Sequence, residues 1–125
     1  MPDATAAFFG ELGVRGHEPV LHTASGTLRF DLRDGRRIER WLVELEKGDV
    51  GVSHGNVAAD CVVSADRALF EGVASGKTNV MAALLRGEMG VEGDVKLLVL
   101  FQRLFPGPPR VRRTPPSQAR ARRRS

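Results

Sequence analysis

The sequence predicts an α+β domain, and two changes of period carry that reading. Over residues 28–52 apolar side chains recur at every second position, interrupted at Asp34-Gly35 and Gly48-Asp49, as in half-buried strands joined by tight turns. Over residues 66–105 the apolar spacing becomes three and four, with glycines at the breaks, as in short packed helices. At 125 residues the chain has the size of one domain.

Residues 3–13 predict the first helix, with Asp3 or Thr5 as cap, Phe8, Phe9 and Leu12 as apolar face and Gly13 as stop. Residues 14–25 carry no clear period, and Val20-Leu21 fits a loop or a short strand. Leu28, Phe30 and Leu32 then alternate with Arg29 and Asp31. After Asp34-Gly35 comes a return strand, 38–46, with Trp41, Val43 and Leu45 on one face and Arg40, Leu42, Glu44 and Glu46 on the other. Val50 and Val52 open a third strand, which Gly55-Asn56 breaks, and Cys61, Val62 and Val63 form a fourth. Together these strands read as an antiparallel meander with one covered face.

The second half reads as helices. Asp66 is expected to cap one through Ala74, with Leu69, Phe70 and Val73 on one side and Gly76 at its exit. Thr78 or Asn79 caps the next, where Val80, Met81, Leu84 and Leu85 share a face and Gly87 ends the run. Met89 and Val91 form a fifth strand. Asp94 caps a last helix over 95–105 that Pro106 stops. After its cap only Lys96, Gln102 and Arg103 are polar. Apolar surface on nearly every side needs a cover: core, ligand, partner protein or a weak homodimer interface.

The net charge of +4 is unevenly placed. Residues 110–125 carry seven arginines (Arg110, Arg112, Arg113, Arg120, Arg122, Arg123 and Arg124) and no acid, whereas residues 1–109 hold 12 basic and 15 acidic side chains. With five prolines and one large apolar residue, Val111, residues 106–125 are expected to be a disordered basic tail, leaving 1–105 as the domain. The tail is either simply solvated or attaches to an anionic membrane surface. No aromatic residue is interleaved with the arginines, so nucleic acid is not the expected partner. No apolar run is long enough for a membrane helix, and the start lacks a basic-then-apolar leader. A lone Cys61 forms no internal disulfide and fits a reducing, cytoplasmic setting; the Arg, Ala, Gly and Val excess suggests a high-GC bacterium.

No constellation for chemistry is visible. His17, His22 and His54 lack the spacing of a metal site, and Cys61 lies in an apolar strand with no cation beside it in sequence. Gly87, Gly90 and Gly93 match neither GxGxxG nor GxxxxGK[ST]. The expectation is a protein without catalytic residues, metal or cofactor.

The ordered set of motifs resembles the sterol-carrier-protein type 2 (SCP2) family of lipid-binding domains. The matching elements are the hairpin over 26–45 with Trp41, then Gly48-Asp49-Val50, Ala59-Asp60 opening a strand that ends at Ser64, and Leu69-Phe70 before Gly76-Lys77. They continue with Met81-Ala82-Ala83 and Leu85, Gly87-Glu88-Met89, Val91-Glu92-Gly93-Asp94, and an apolar helix ending Leu104-Phe105. Two features depart from the family pattern: Asn79 stands where an acidic residue followed by proline is common, and the Arg/Pro tail has no counterpart. The resemblance implies a twisted, mostly antiparallel sheet of about five strands, covered on one face by helices that enclose an apolar cavity. It also implies non-enzymatic binding, and intracellular transfer, of a sterol-like, fatty acyl or isoprenoid/quinone lipid.

Candidate lining residues on the sheet side and first helical segment are Trp41, Val43, Phe70 and Val73. Met81, Leu84, Leu85 and Met89 follow, and the terminal helix contributes Leu97, Leu98, Phe101, Leu104 and Phe105. Without a cavity the same residues simply pack on the sheet, and the domain becomes a protein–protein interaction module that docks partners through its apolar C-terminal helix.

Overall fold

The computed structural model describes residues 4–106, so the expected tail over 107–125 and the cap Asp3 lie outside the described residues. The chain begins with α1 (Ala4–Arg15). A hairpin follows, β1 (Ser25–Asp34) and β2 (Arg37–Glu46), then β3 (Asp49–His54) and β4 (Cys61–Asp66). Two helices, α2 (Arg67–Ala74) and α3 (Val80–Leu85), precede β5 (Met89–Gly93) and α4 (Val95–Phe101). The helix α1 overruns Gly13 and stops at Gly16, which takes φ +66 and donates its N–H to Leu12 O at 3.0 Å. The β2–β3 turn places both Lys47 (φ 50) and Gly48 (φ 94) in the left-handed region, the demand of a two-residue hairpin loop whose twist matches its strands.

Five strands form one sheet in the order β3-β2-β1-β4-β5. This corrects the expected meander. β4 does not continue beside β3; it pairs in parallel with the far edge of β1, Leu28 opposite Cys61 and Phe30 opposite Val63. The other three pairings are antiparallel. Period-two alternation reports which face a strand buries, not which neighbour it pairs with, so the crossover was invisible to it. The connection over 55–60 is tied down by polar contacts: Arg29 Nη1 donates to Val57 O at 2.9 Å, and Thr27 N donates to an Asp60 carboxylate oxygen at 3.0 Å.

Helices cover the face that carries Leu28, Phe30, Trp41, Val43 and Val63. The helix α1 packs on β3 and α2, α2 and α4 pack on β1 and β4, and α3 packs on β5. The opposite face carries ion pairs instead, with Arg29 bidentate on Asp31 (2.8 and 3.0 Å) and Arg40 at 3.5 Å from the same carboxylate.

Three local expectations change. Asp66 stands at the N-cap of α2 but makes no side-chain cap; its carboxylate accepts from Arg33 at 2.9 Å. The α-helix expected to reach residue 105 ends at Phe101, tightens into a 3-10 turn over Gln102–Leu104, and leaves Phe105 extended. On α3, Val80 and Ala83 turn inward with Leu84 half-buried, while Met81 is 36% and Leu85 88% exposed. At 100° per residue, positions 81 and 85 share an azimuth that 80 and 83 do not, and the short helix has only one side against β5.

Candidate ligand-binding site

Rings fill the space between sheet and helices. The chain has six phenylalanines and one tryptophan, and all seven belong to one contact network. Phe9, brought inward by α1 together with Leu12, sits at its centre. It stacks on Trp41 at 4.6 Å and on Phe70 at 5.7 Å, and tilts against Phe30 at 5.4 Å. Phe30 in turn meets Phe101 at 5.4 Å. These offset and edge-on geometries stabilise by roughly 0.5–1.5 kcal/mol per pair beyond area burial.

The C-terminal end of the layer is closed by a smaller pair. Phe105 stacks on Phe8 at 4.8 Å and meets Phe70 and Phe101 edge-on at 5.6 and 5.5 Å. Phe70 and Phe101 beneath them are fully buried, whereas Phe8 and Phe105 are half-buried. Clefts flank this cover on both sides. One, of about 280 Å³, lies between Leu104, Pro106 and the outer side of α1 at Ala7 and Phe8. The other, of about 220 Å³, lies between residues 76–80 and Gln102, Phe105 and Pro106.

The structure brings most of the candidate lining to this interior. Trp41, Val43, Phe70 and Val73 are buried in it, and so are Met89, Leu97, Leu98 and Phe101. Leu84, Leu104 and Phe105 pack against it half-buried. Met81 and Leu85 face outward on α3 and do not reach the interior rings. Phe8, Phe9 and Phe30 were missing from the candidate lining although they form its middle. The available signal was rarity: aromatic residues are 6% of the chain, and every one of them joins the cluster.

Polar chemistry near the interior is sparse. Cys61 is fully buried, and burial, reinforced by the charge of Asp94, pushes its thiol pKa up, opposite to what a nucleophilic cysteine needs. His17 pairs with Asp49 at 2.8 Å, His22 with Pro19 O at 3.1 Å, and His54 lies on the Trp41 ring at 4.0 Å. Among the described residues no group of His, Cys, Asp and Glu is placed to hold a metal ion, and no helix is long and apolar enough to cross a membrane.

Fold and site thus define an α+β helix-over-sheet domain with an aromatic interior under a half-exposed cover. The chain belongs to the SCP-2 sterol transfer family, whose model matches residues 9–106. Among curated proteins it is similar to hydroxysteroid dehydrogenase-like protein 2 of Xenopus tropicalis, at 28% identity over 71% of this chain; it spans 22% of that protein's length. Among solved structures it resembles sterol carrier protein-2 from Aedes aegypti in complex with the C16 fatty acid palmitate, with a TM-score of 0.67 and 17% identity over 84% of this chain and 96% of that one. It also resembles part of the stereoselective inverting sec-alkylsulfatase Pisa1 from Pseudomonas sp., with a TM-score of 0.63 and 23% identity over 78% of this chain and 16% of that one. The same fold therefore occurs both as a whole chain and as a part of larger enzymes.

Proposed function

We propose that this domain binds one lipid between its helices and its sheet, and carries it through the cytoplasm without chemistry on it. The carrying observation is the cover: two half-buried rings, Phe8 and Phe105, over two fully buried ones, Phe70 and Phe101, with a cleft on either side. The interior is filled by side chains, so a guest takes the place of rings rather than entering an open tunnel. Magnitudes favour the exchange. Exposing the Leu104 and Phe105 side chains costs about 2 kcal/mol each, while a chain that buries roughly eight methylenes recovers about 6 kcal/mol. A fatty acyl, isoprenoid/quinone or sterol-like guest fits that balance, and membership in a sterol transfer family supports the class.

The test is native mass spectrometry of the purified full chain, followed by titration with a fluorescent fatty acid. Co-purifying lipid and saturable micromolar binding are expected, with faster release from a Phe105→Ala variant. A lipid-free protein that binds no apolar probe sinks the reading. A second reading, a protein-docking module, is favoured by the filled core and by Val95 and Val99, both 42% exposed on the outer side of α4; it predicts no bound lipid and a weak homodimer or a captured partner. The arginines of residues 110–125 add a proposed contact with anionic membranes, checked by co-sedimentation with phosphatidylserine vesicles, which is expected to fall steeply with salt.

A further inference from the structure

We propose that the groove along the uncovered edge of β2 is an oxyanion-binding site. β3 ends at His54, opposite Trp41, so residues 37–40 of β2 have no partner strand on that side. A groove of about 690 Å³ runs along this edge, walled by Arg37, Arg40, Arg67, His54 and the carboxylates of Asp34 and Glu39. Glu39 is already engaged, accepting from Arg67 Nε at 2.8 Å. Arg40 is different. Its Nε is buried without a hydrogen-bond partner, 3.5 Å from an Asp31 oxygen. Asp31 cannot satisfy it well, because both carboxylate oxygens already accept from Arg29 at 2.8 and 3.0 Å. Two guanidinium groups thus share one carboxylate, and Arg40 faces the groove with a donor and a positive charge to spare.

The neighbouring residue carries the second observation. Trp41 is 9% exposed, and its indole Nε1 also has no hydrogen-bond partner. Its ring lies between His54 of the groove wall, at 4.0 Å, and Phe9 of the interior, at 4.6 Å. Two buried donors without acceptors, on consecutive residues at one groove, are a concentration that folded proteins avoid unless an acceptor comes from outside the chain. An acceptor-only group with negative charge is the matching chemistry, and the planar arginine fork suits a carboxylate or a phosphate. That chemistry has two sources: the head group of an acyl ligand whose chain runs past Trp41 into the ring cluster, or free phosphate. The first source rests on the lipid-binding reading above; the site itself does not.

The experiment uses the full chain labelled with ¹⁵N, in which the single tryptophan gives one indole resonance. It is titrated separately with palmitate, with hexadecanol (the same chain without the carboxylate) and with inorganic phosphate. Palmitate or phosphate is expected to shift the Trp41 indole resonance. Arg37→Ala, at an exposed position that leaves folding intact, and Arg40→Gln are each expected to weaken the anion about tenfold while leaving hexadecanol binding unchanged. Phosphate that shifts the same resonance and competes with palmitate identifies a site open to free oxyanions; palmitate alone doing so identifies a head-group site. Equal binding of palmitate and hexadecanol, insensitive to both variants, together with no phosphate effect, overturns the oxyanion site and leaves the lipid-binding reading intact. Phosphate binding with neither long-chain probe bound does the reverse.

Discussion

Single positions differ widely in what they tolerate, and geometry decides which. Gly93 has φ +93, and a Cβ there would lie 2.2 Å from Asp60 O, a backbone atom held where α4 begins by its bond from Asp94 N. Gly93→Ala combines left-handed strain with an unrelieved clash, and a loss of about 3 kcal/mol or more is expected in urea unfolding. Leu98 is fully buried, so Leu98→Ala should cost about 2–5 kcal/mol, whereas Leu85→Ala, at 88% exposure, should change stability by less than about 0.5 kcal/mol. Cys61 gives a pH signature. Its thiol stays protonated in the folded chain beyond about pH 8.5, where an unfolded chain ionises it. The unfolded state then holds fewer protons, so stability falls as pH rises through that range and is unaffected by this group below it. Thermal unfolding from pH 7 to 9.5 should show that extra loss in the wild type and not in Cys61→Ala.

At the level of elements, the helices are held by their ends as much as by their faces. The N-terminus of α1 docks on the Glu71 carboxylate of α2, which accepts from Ala4 N at 2.6 Å, Thr5 N at 3.1 Å and Thr5 Oγ1 at 2.9 Å. The carboxylate meets the positive end of the helix dipole and satisfies donors that have no partner within α1. Glu71→Gln is expected to cost about 1–2 kcal/mol and to loosen α1 specifically, read as faster amide exchange over 4–12 than over β1. A smaller anchor is Asn79, whose side chain accepts from Ala82 N at 2.9 Å; Asn79→Ala should cost about 1 kcal/mol. Asn79 departs from the acidic residue common at this place in the family, yet it performs the cap, because a neutral carbonyl oxygen accepts the same N–H. The 3-10 turn after α4 matters for the cover: its tighter winding rotates Leu104 and Phe105 over Phe8 rather than along the sheet.

For the whole molecule, the sheet is a stiff platform and the helix layer is the side that can open. Every pairing of β1, β2 and β4 is continuous through the sheet centre, while the Phe8–Phe105 contact closes the last gap near the point where residues 107–125 leave the described domain. The sequence by itself determined the faces of the strands, the turns at Asp34-Gly35 and Gly48-Asp49, the caps at Asn79 and Asp94, and most of the buried residues of α2 and α4. Each of these is a local consequence of period, φ requirement or side-chain donor chemistry. The partners were decided only by tertiary structure. The parallel placement of β4 against β1, the outward turn of Met81 and Leu85, the gathering of Phe8, Phe9 and Phe30 with the C-terminal rings, and the two unpaired donors at Arg40 and Trp41 all depend on contacts between residues far apart in the chain. Alternation and helical spacing record that a side chain is buried, but the energy of burial is nearly indifferent to which apolar neighbour provides it, so the choice of neighbour is made by the assembled layers.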